Sequence, residues 1–294
     1  MLSTIIKYVS FYIFLRIVPD FYNFFISKLK NKMVWNKVKG KWIIITGATD
    51  GIGKELALNA AKRKYNIIIM GRSSSKLDEV YSLIIKENVK CKKIICDFSK
   101  ECITSFINDS IEIGMLINNV GCVGEHPKLF GEESSVSEMI NVNIYNTFLL
   151  TQKVLISMMN RKNGVILNIG SFTGDMPCPV LSVYSSTKAM IRSWSESLHY
   201  EMRPYNVHVE CINTGYVATK MSKIKKPSFF VPSAKTYADS VLNSFGNSSV
   251  SITYFPHLLM YSVIKILPRT FLGIITFFSL SRTRNMAIEK KKIE

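Results

Sequence analysis

Ser171, Tyr184 and Lys188 are the residues whose types and spacing most directly describe a reaction. Tyr184 and Lys188 stand four apart, which on a helix puts them on one face, a turn from each other. An ammonium so placed stabilises the phenolate, so a phenol that ordinarily titrates near pH ~10 is expected to move towards neutrality and to exchange protons with a substrate. Ser171 precedes Tyr184 by thirteen residues. The apolar run Val165, Ile166, Leu167, Ile169 reads as a buried strand ending at Gly170-Ser171, which sets the hydroxyl at a carboxyl edge, where open α/β sheets bind ligands. Tyr-x-x-x-Lys alone is a common accident of solvated helices, so the remaining parts of the site must carry the argument.

Thr46-Gly47-Ala48-Thr49-Asp50-Gly51-Ile52-Gly53 ends one strand-like run, Trp42 to Thr46, and opens a helix. Gly47, Gly51 and Gly53 suit a pyrophosphate that needs close backbone approach and unpaired N–H groups, and Thr49, Asp50 and Ile52 lie in the same turn. The next strand ends Met70-Gly71-Arg72-Ser73. No acid is there to accept from a ribose 2′-hydroxyl, whereas Arg72, with Lys76 as a weaker contact, suits a 2′-phosphate, so NADP(H) is the expected cofactor. The four histidines show no metal-ligand spacing, and no metal is expected.

With Asn118-Asn119-Val120-Gly121 and Asn143 falling between the glycine turn and Ser171, the set in this order resembles the short-chain dehydrogenase/reductase family over roughly residues 36 to 240. The resemblance implies a catalytic set of Asn143, Ser171, Tyr184 and Lys188, with Lys188 also binding the nicotinamide ribose. Asn141 rivals Asn143 by sequence alone. Asp97 matches the position that meets the adenine, Asn118 and Gly121 those that hold the sheet edge and cofactor, and Val217 and Thr219 also match. Thr214-Gly215 replaces the usual Pro-Gly, which loosens a turn beside the nicotinamide. The runs Glu112 to Gly121 and Tyr216 to Pro227 resemble the membrane-bound branch holding very-long-chain 3-oxoacyl-CoA reductases and 17β-hydroxysteroid dehydrogenases. That branch implies NADPH-dependent reduction of a ketone on a lipid or acyl-CoA, first a 3-oxoacyl-CoA of fatty-acid elongation and second a 17-ketosteroid. A non-catalytic membrane scaffold keeping the fold is the third reading. The implied partners are the membrane, elongation enzymes and a second copy of the chain.

Such a site needs a doubly wound sheet to hold it. Strand-like runs at Trp42–Thr46, Asn66–Met70, Lys93–Cys96, Gly114–Asn118, Val165–Ile169 and Val207–Ile212 alternate with helical segments at about 51 to 64, 75 to 88, 100 to 110, 133 to 160 and 181 to 203. This is the pattern of an α/β, Rossmann-type parallel sheet covered on both faces. Residues 36–246 are assigned to that catalytic domain, 1–35 to an N-terminal membrane anchor lying in or crossing the bilayer, and 247–294 to a C-terminal apolar hairpin with a basic tail. The hairpin's two stretches, Leu258 to Leu267 and Phe271 to Leu280, read equally well as amphipathic helices closing over a substrate pocket.

The formal charge of +17 is terminal: +7 over residues 1–42, +9 over 220–294 and +1 between. Because both ends interleave Lys with large apolar residues, the excess points to an anionic membrane face and excludes a nucleic-acid partner. Lys225 and Lys226 lie in the expected substrate loop, where they face CoA phosphates, the membrane or solvent. Six cysteines without a C-x-x-C pair read as buried thiols, with structural disulfides not expected. The resulting location is the endoplasmic reticulum membrane with the catalytic domain in the cytosol, and Lys291-Lys292 near the carboxyl end resembles a dilysine retrieval signal.

Overall fold

The computed structural model describes residues 2–100 and 111–293. The helix expected at 100 to 110 lies, but for its first residue, outside those residues. Strands β1 (Trp42–Thr46), β2 (Asn66–Gly71), β3 (Cys91–Ile95), β4 (Ile113–Asn118), β5 (Gly164–Ile169), β6 (Val207–Ile212) and β7 (Val250–Ser251) form one sheet. Their order is β3-β2-β1-β4-β5-β6-β7, parallel throughout. Successive strand side chains point to opposite faces, so Ile43 and Ile45 join one core while Ile44 joins the other. Burial on both faces explains why the inner strands are almost purely apolar instead of alternating with polar residues.

Helices α2 (Gly51–Lys62), α3 (Ser74–Ile85) and α7 (Ala234–Ser244) bury Leu56, Leu77 and Val241 against the first face. On the second face lie α5 (Asn146–Asn160) and α6 (Ser182–Glu201), through Leu150, Val154 and Leu198. The chain enters α5 from a short α4 (Val136–Ile140) through a π-helical turn, Asn141–Tyr145. Strand order reverses between β1 and β4. A crevice at the carboxyl ends of those two strands is where such sheets take a ligand.

Two features differ from the sequence expectation. The sheet does not end at residue 246: β7 pairs with β6, and α8 (Phe255–Ile266) packs Leu258 and Tyr261 onto Phe172. A two-residue strand carries no periodic signal, which is why it was not legible. The second difference concerns the thiols. Cys91, Cys122, Cys178 and Cys211 are free, but Cys96 is disulfide-bonded, which corrects the expectation that structural disulfides are absent.

The long helix α1 (Leu2–Val38) has two characters. Its second half belongs to the catalytic core, since Val34, Trp35 and Val38 are buried there and the Trp35 indole donates to the Leu242 carbonyl at 3.0 Å. Toward its start Phe11, Tyr12, Phe14 and Leu15 are exposed. Among the described residues α1 is the one helix long and apolar enough to cross a membrane, and little of that apolar span is covered by the rest of the chain. Helix α9 (Arg269–Ile293) lies instead across the loops after β4 and β5. Arg269 donates to the Asp175 carbonyl, Thr276 to that of Pro177, Arg284 pairs with Glu132 at 2.7 Å and Lys291 with Glu125 at 2.6 Å. Of the two expectations for the C-terminal stretches, α8 and α9 follow the packed-helix one, though α9 leaves Phe271, Ile274 and Phe278 exposed.

Candidate active site

The turn after β1 is built for close backbone approach. Gly47 and Gly51 sit at φ +64° and +54°, and a Cβ on Gly53 would stand 2.3 Å from the Gly47 carbonyl oxygen. Asp50 caps α2 by accepting from the Gly51 N–H at 2.8 Å. Its carboxyl is held below the usual range first by the hydrogen bond from Lys220, which reaches across from the loop after β6 at 2.9 Å. Lys76 lies 3.6 Å from the same carboxylate. Thr49 packs against Gly71, and Ile52 against the core.

Asn119, which the motif reading passed over, fastens this turn. Its side chain donates to the Thr46 and Gly47 carbonyls at 3.0 and 3.3 Å, while its backbone N–H and that of Val120 both donate to the Thr46 hydroxyl. Asn118 points the other way, donating to Thr151 and to Asn168 at 2.8 Å each, so its amide braces the sheet between β4, β5 and α5. At the end of β2, Arg72 is exposed and makes no hydrogen bond or ion pair among the described residues. Asp97 after β3 accepts from the Ser99 N–H and hydroxyl, which together with Arg72 nearby hold its carboxyl low. Thr219 lies against Gly51, whereas the Val217 side chain is buried in the core.

The candidate catalytic side chains gather at the ends of β4 and β5. Ser171 caps a 3₁₀ turn, Phe172–Gly174, accepting from the Thr173 N–H at 3.3 Å and hydroxyl at 2.9 Å, and its hydroxyl lies near the Tyr184 phenol in the first turn of α6. Close approach at Gly174 makes this possible, because a Cβ there would meet the Lys188 carbonyl oxygen at 3.0 Å and the Ala189 nitrogen at 2.7 Å. Asn143, in the π turn, accepts from the Cys122 N–H at 2.8 Å and donates to the Cys122 carbonyl and the Thr187 hydroxyl at 3.0 Å. Asn141 instead donates to the Ser99 carbonyl, so of the two it is Asn143 that lies beside α6. A Cβ on Gly121 would lie 3.5 Å from the Asn143 amide oxygen and 3.7 Å from the Lys188 ammonium, which places all three together.

The electrostatics correct one expectation. Lys188 does not depress the tyrosine in this state: burial pushes the Tyr184 phenol up to about 12, against a smaller lowering by Ser171. Burial also pushes Lys188 down to about 8. The ammonium lies 5.8 Å from the Tyr184 ring centroid and donates to the Ile169 carbonyl at 2.9 Å, so it spends itself on backbone instead of on the phenol oxygen. Desolvation of both groups outweighs their proximity. Tyr184 therefore keeps its proton across the neutral range, as a donor must.

These residues fit a phosphorylated dinucleotide: a close-packed glycine turn at a helix N-terminus and, among the described residues, a guanidinium after β2 with no hydrogen bond or ion pair and a buried ammonium with a single hydrogen bond. Among the described residues no cluster of metal-binding side chains is present. A small surface cleft opens beside Tyr184, bordered by Val180, Ser182 and Met139.

Fold and site together define an oxidoreductase of the doubly wound α/β type, and the chain belongs to the short-chain dehydrogenase family, whose model matches residues 41–228. Within it the chain is similar to the very-long-chain 3-oxoacyl-CoA reductase of Mus musculus, 38% identical over 262 residues that cover 86% of this chain and 84% of that one. The protein of the same description from Homo sapiens is 39% identical over 237 residues, covering 78% and 76%. A solved short-chain dehydrogenase from Sphingobium yanoikuyae in complex with NADPH shares the fold, with a TM-score of 0.68 at 23% identity over 76% of this chain and 92% of that one.

Proposed function

We propose that this chain is a membrane-anchored reductase that uses NADPH to convert very-long-chain 3-oxoacyl-CoA to 3-hydroxyacyl-CoA in fatty-acid elongation. The observation that carries the reading is its likeness to the very-long-chain 3-oxoacyl-CoA reductases along 84% of the Mus musculus protein's length. The site supports it chemically. NADPH, when bound, supplies the hydride. The Ser171 hydroxyl donates to the ketone oxygen, and the neutral Tyr184 phenol hands its proton to the alkoxide as charge develops there. Lys188 has two ammonium protons left for the ribose hydroxyls, and Asn143 fixes the Cys122 backbone and Thr187 around it. Arg72, with Lys76, holds the 2′-phosphate, and Asp97 meets the adenine; Gly47, Gly51 and Gly53 admit the pyrophosphate.

Lys225 and Lys226 are exposed on the loop after β6 and make no ion pair among the described residues, which leaves them available to CoA phosphates. The exposed first half of α1 supports anchoring in the endoplasmic reticulum membrane, with the catalytic domain on the cytosolic side where NADPH and acyl-CoA are found. Elongation enzymes at the same membrane and a second copy of the chain are the partners this reading names. Membranes carrying the chain are to be offered NADPH with a long-chain 3-oxoacyl-CoA and, separately, with a 17-ketosteroid. Faster reduction of the acyl-CoA is expected. A faster steroid reaction would move the function to hydroxysteroid oxidoreduction, and inactivity on both with NADPH bound would make the chain a scaffold.

A further inference from the structure

His257, in the first turn of α8, is fully buried and takes no part in the chemistry described above. Its Nδ1 accepts from the Gly215 N–H at 3.3 Å and its Nε2 donates to the Tyr216 carbonyl at 3.0 Å. Three residues earlier on the chain the Tyr254 hydroxyl donates to the Phe229 carbonyl at 3.0 Å. Gly215 and Tyr216 begin the loop that carries Val217, Thr219 and Lys220; Phe229 and Phe230 end it. The N-cap and first turn of α8 thus grip both stems of that loop.

The imidazole is itself held. Phe172, Tyr237 and Tyr254 pack around it with ring centroids 5.7, 5.4 and 5.1 Å away. A Cβ on Gly215 would lie 2.9 to 3.0 Å from the His257 ring and 2.9 Å from Phe172, so the turn is seated directly on these two rings. Burial drives the imidazole down to about 4, which keeps one nitrogen an acceptor and the other a donor at neutral pH. Residue 214, where a proline would fix the backbone, is a threonine bonded to the Tyr237 hydroxyl at 2.7 Å.

We propose that His257 is a positioning residue for the cofactor and substrate loop: by bonding the backbone at Gly215 and Tyr216, with Tyr254 bonding that at Phe229, it holds residues 215–230 in register over the glycine turn, supplying from α8 the rigidity that a proline would give locally. The inference rests on the assignment of that loop to the cofactor cleft. It also gives α8 a task in the site, since α8 packs against α1 through Phe255, whose ring lies 5.7 Å from that of Phe24.

The test uses the full chain in detergent or reconstituted membrane. His257→Leu keeps volume and removes the ring's hydrogen bonds. Losing one or two buried hydrogen bonds corresponds to roughly 10- to 100-fold, expected as weaker NADPH binding. Backbone amide exchange should accelerate in residues 215–230 while β1 and β2 stay protected. His257→Gln, which keeps a donor near the Nε2 position, should recover part of the loss. Thr214→Pro in the His257→Leu background should recover part by stiffening the turn from within. Wild-type binding and exchange in His257→Leu would overturn the proposal, and so would a uniform loss of protection that Thr214→Pro does not relieve. If His257→Leu does not fold, Tyr254→Phe reports on the second stem by the same exchange measurement, and unchanged exchange there would overturn the clamp. Failure of the wild type to bind NADPH would instead sink the functional reading, while the exchange measurement in the free protein would still decide the clamp.

Discussion

Lys188 is the residue whose burial most constrains the site. Its ammonium is nearly inaccessible and titrates near 8, against an ordinary 10.5. Because the folded value lies below the unfolded one, the unfolded chain binds the extra proton between those two pH values, so the penalty is complete below pH 8 and fades as pH rises to 10.5. The size is about 3 kcal/mol. Chemical denaturation of the unliganded protein should therefore show the stability advantage of Lys188→Met over wild type shrinking by about that amount across the window; a constant difference would mean that the lysine is not desolvated. At the cofactor end, Arg72→Glu puts a like charge against the 2′-phosphate and an acceptor near the ribose. Preference for NADPH over NADH should fall or reverse, measured as the ratio of kcat/KM, and an unchanged ratio would leave Arg72 a solvated surface residue. Tyr184, Lys188 and Ser171 were legible because their spacing maps onto one helix and one strand end. Asn119 and His257 were not, because each acts on backbone distant in sequence and belongs to no short pattern.

At the scale of elements, the inner strands were legible because a strand buried on both faces is nearly pure Ile, Val, Leu and Met. The two-residue β7, α7 and the docking of α8 were not, since what fixes them is the partner surface and not their own periodicity. The same limit applies to α1, whose apolar residues read uniformly as anchor. In the structure the helix is divided: the Trp35 ring lies tilted 4.8 Å from Tyr65 and edge-on 5.4 Å from Phe245, and Asn31 donates to the Phe245 carbonyl. Removing residues 2–18 should leave the domain folded, with thermal unfolding little changed. Trp35→Ala in the full chain should cost about 3 to 5 kcal/mol, the range for a buried aromatic truncated to alanine. Equal effects from the two changes would contradict the division.

For the whole molecule, the proposed cytosolic placement of the catalytic domain meets two opposing observations. NADPH and acyl-CoA chemistry and four free cysteines accord with the cytosol, whereas the Cys96 disulfide is unusual in a reducing compartment. The natural sequon at Asn247 is a poor reporter, because its amide bonds to Asn23 at 2.9 Å on α1. Lys90→Thr completes a new glycosylation sequon at Asn88, which sits in an exposed turn at φ +57°. No endoglycosidase-sensitive mobility shift is expected there, and a shift would place the domain in the lumen. The lysines near the carboxyl end stand on α9, with Lys291 already paired to Glu125, so a retrieval receptor would have to compete with that contact. The account's central claim is that this assembly of fold, cofactor cleft and Tyr184 reduces a 3-oxoacyl-CoA. The most direct measurement follows conversion of a long-chain 3-oxoacyl-CoA by the purified full chain with NADPH, for wild type and Tyr184→Phe, by mass spectrometry of the product. Wild type should form one 3-hydroxyacyl-CoA per NADPH consumed, and Tyr184→Phe should lose at least ~10²-fold in rate while still binding NADPH; absence of the hydroxy product, or a phenylalanine variant that keeps most of the rate, would contradict it.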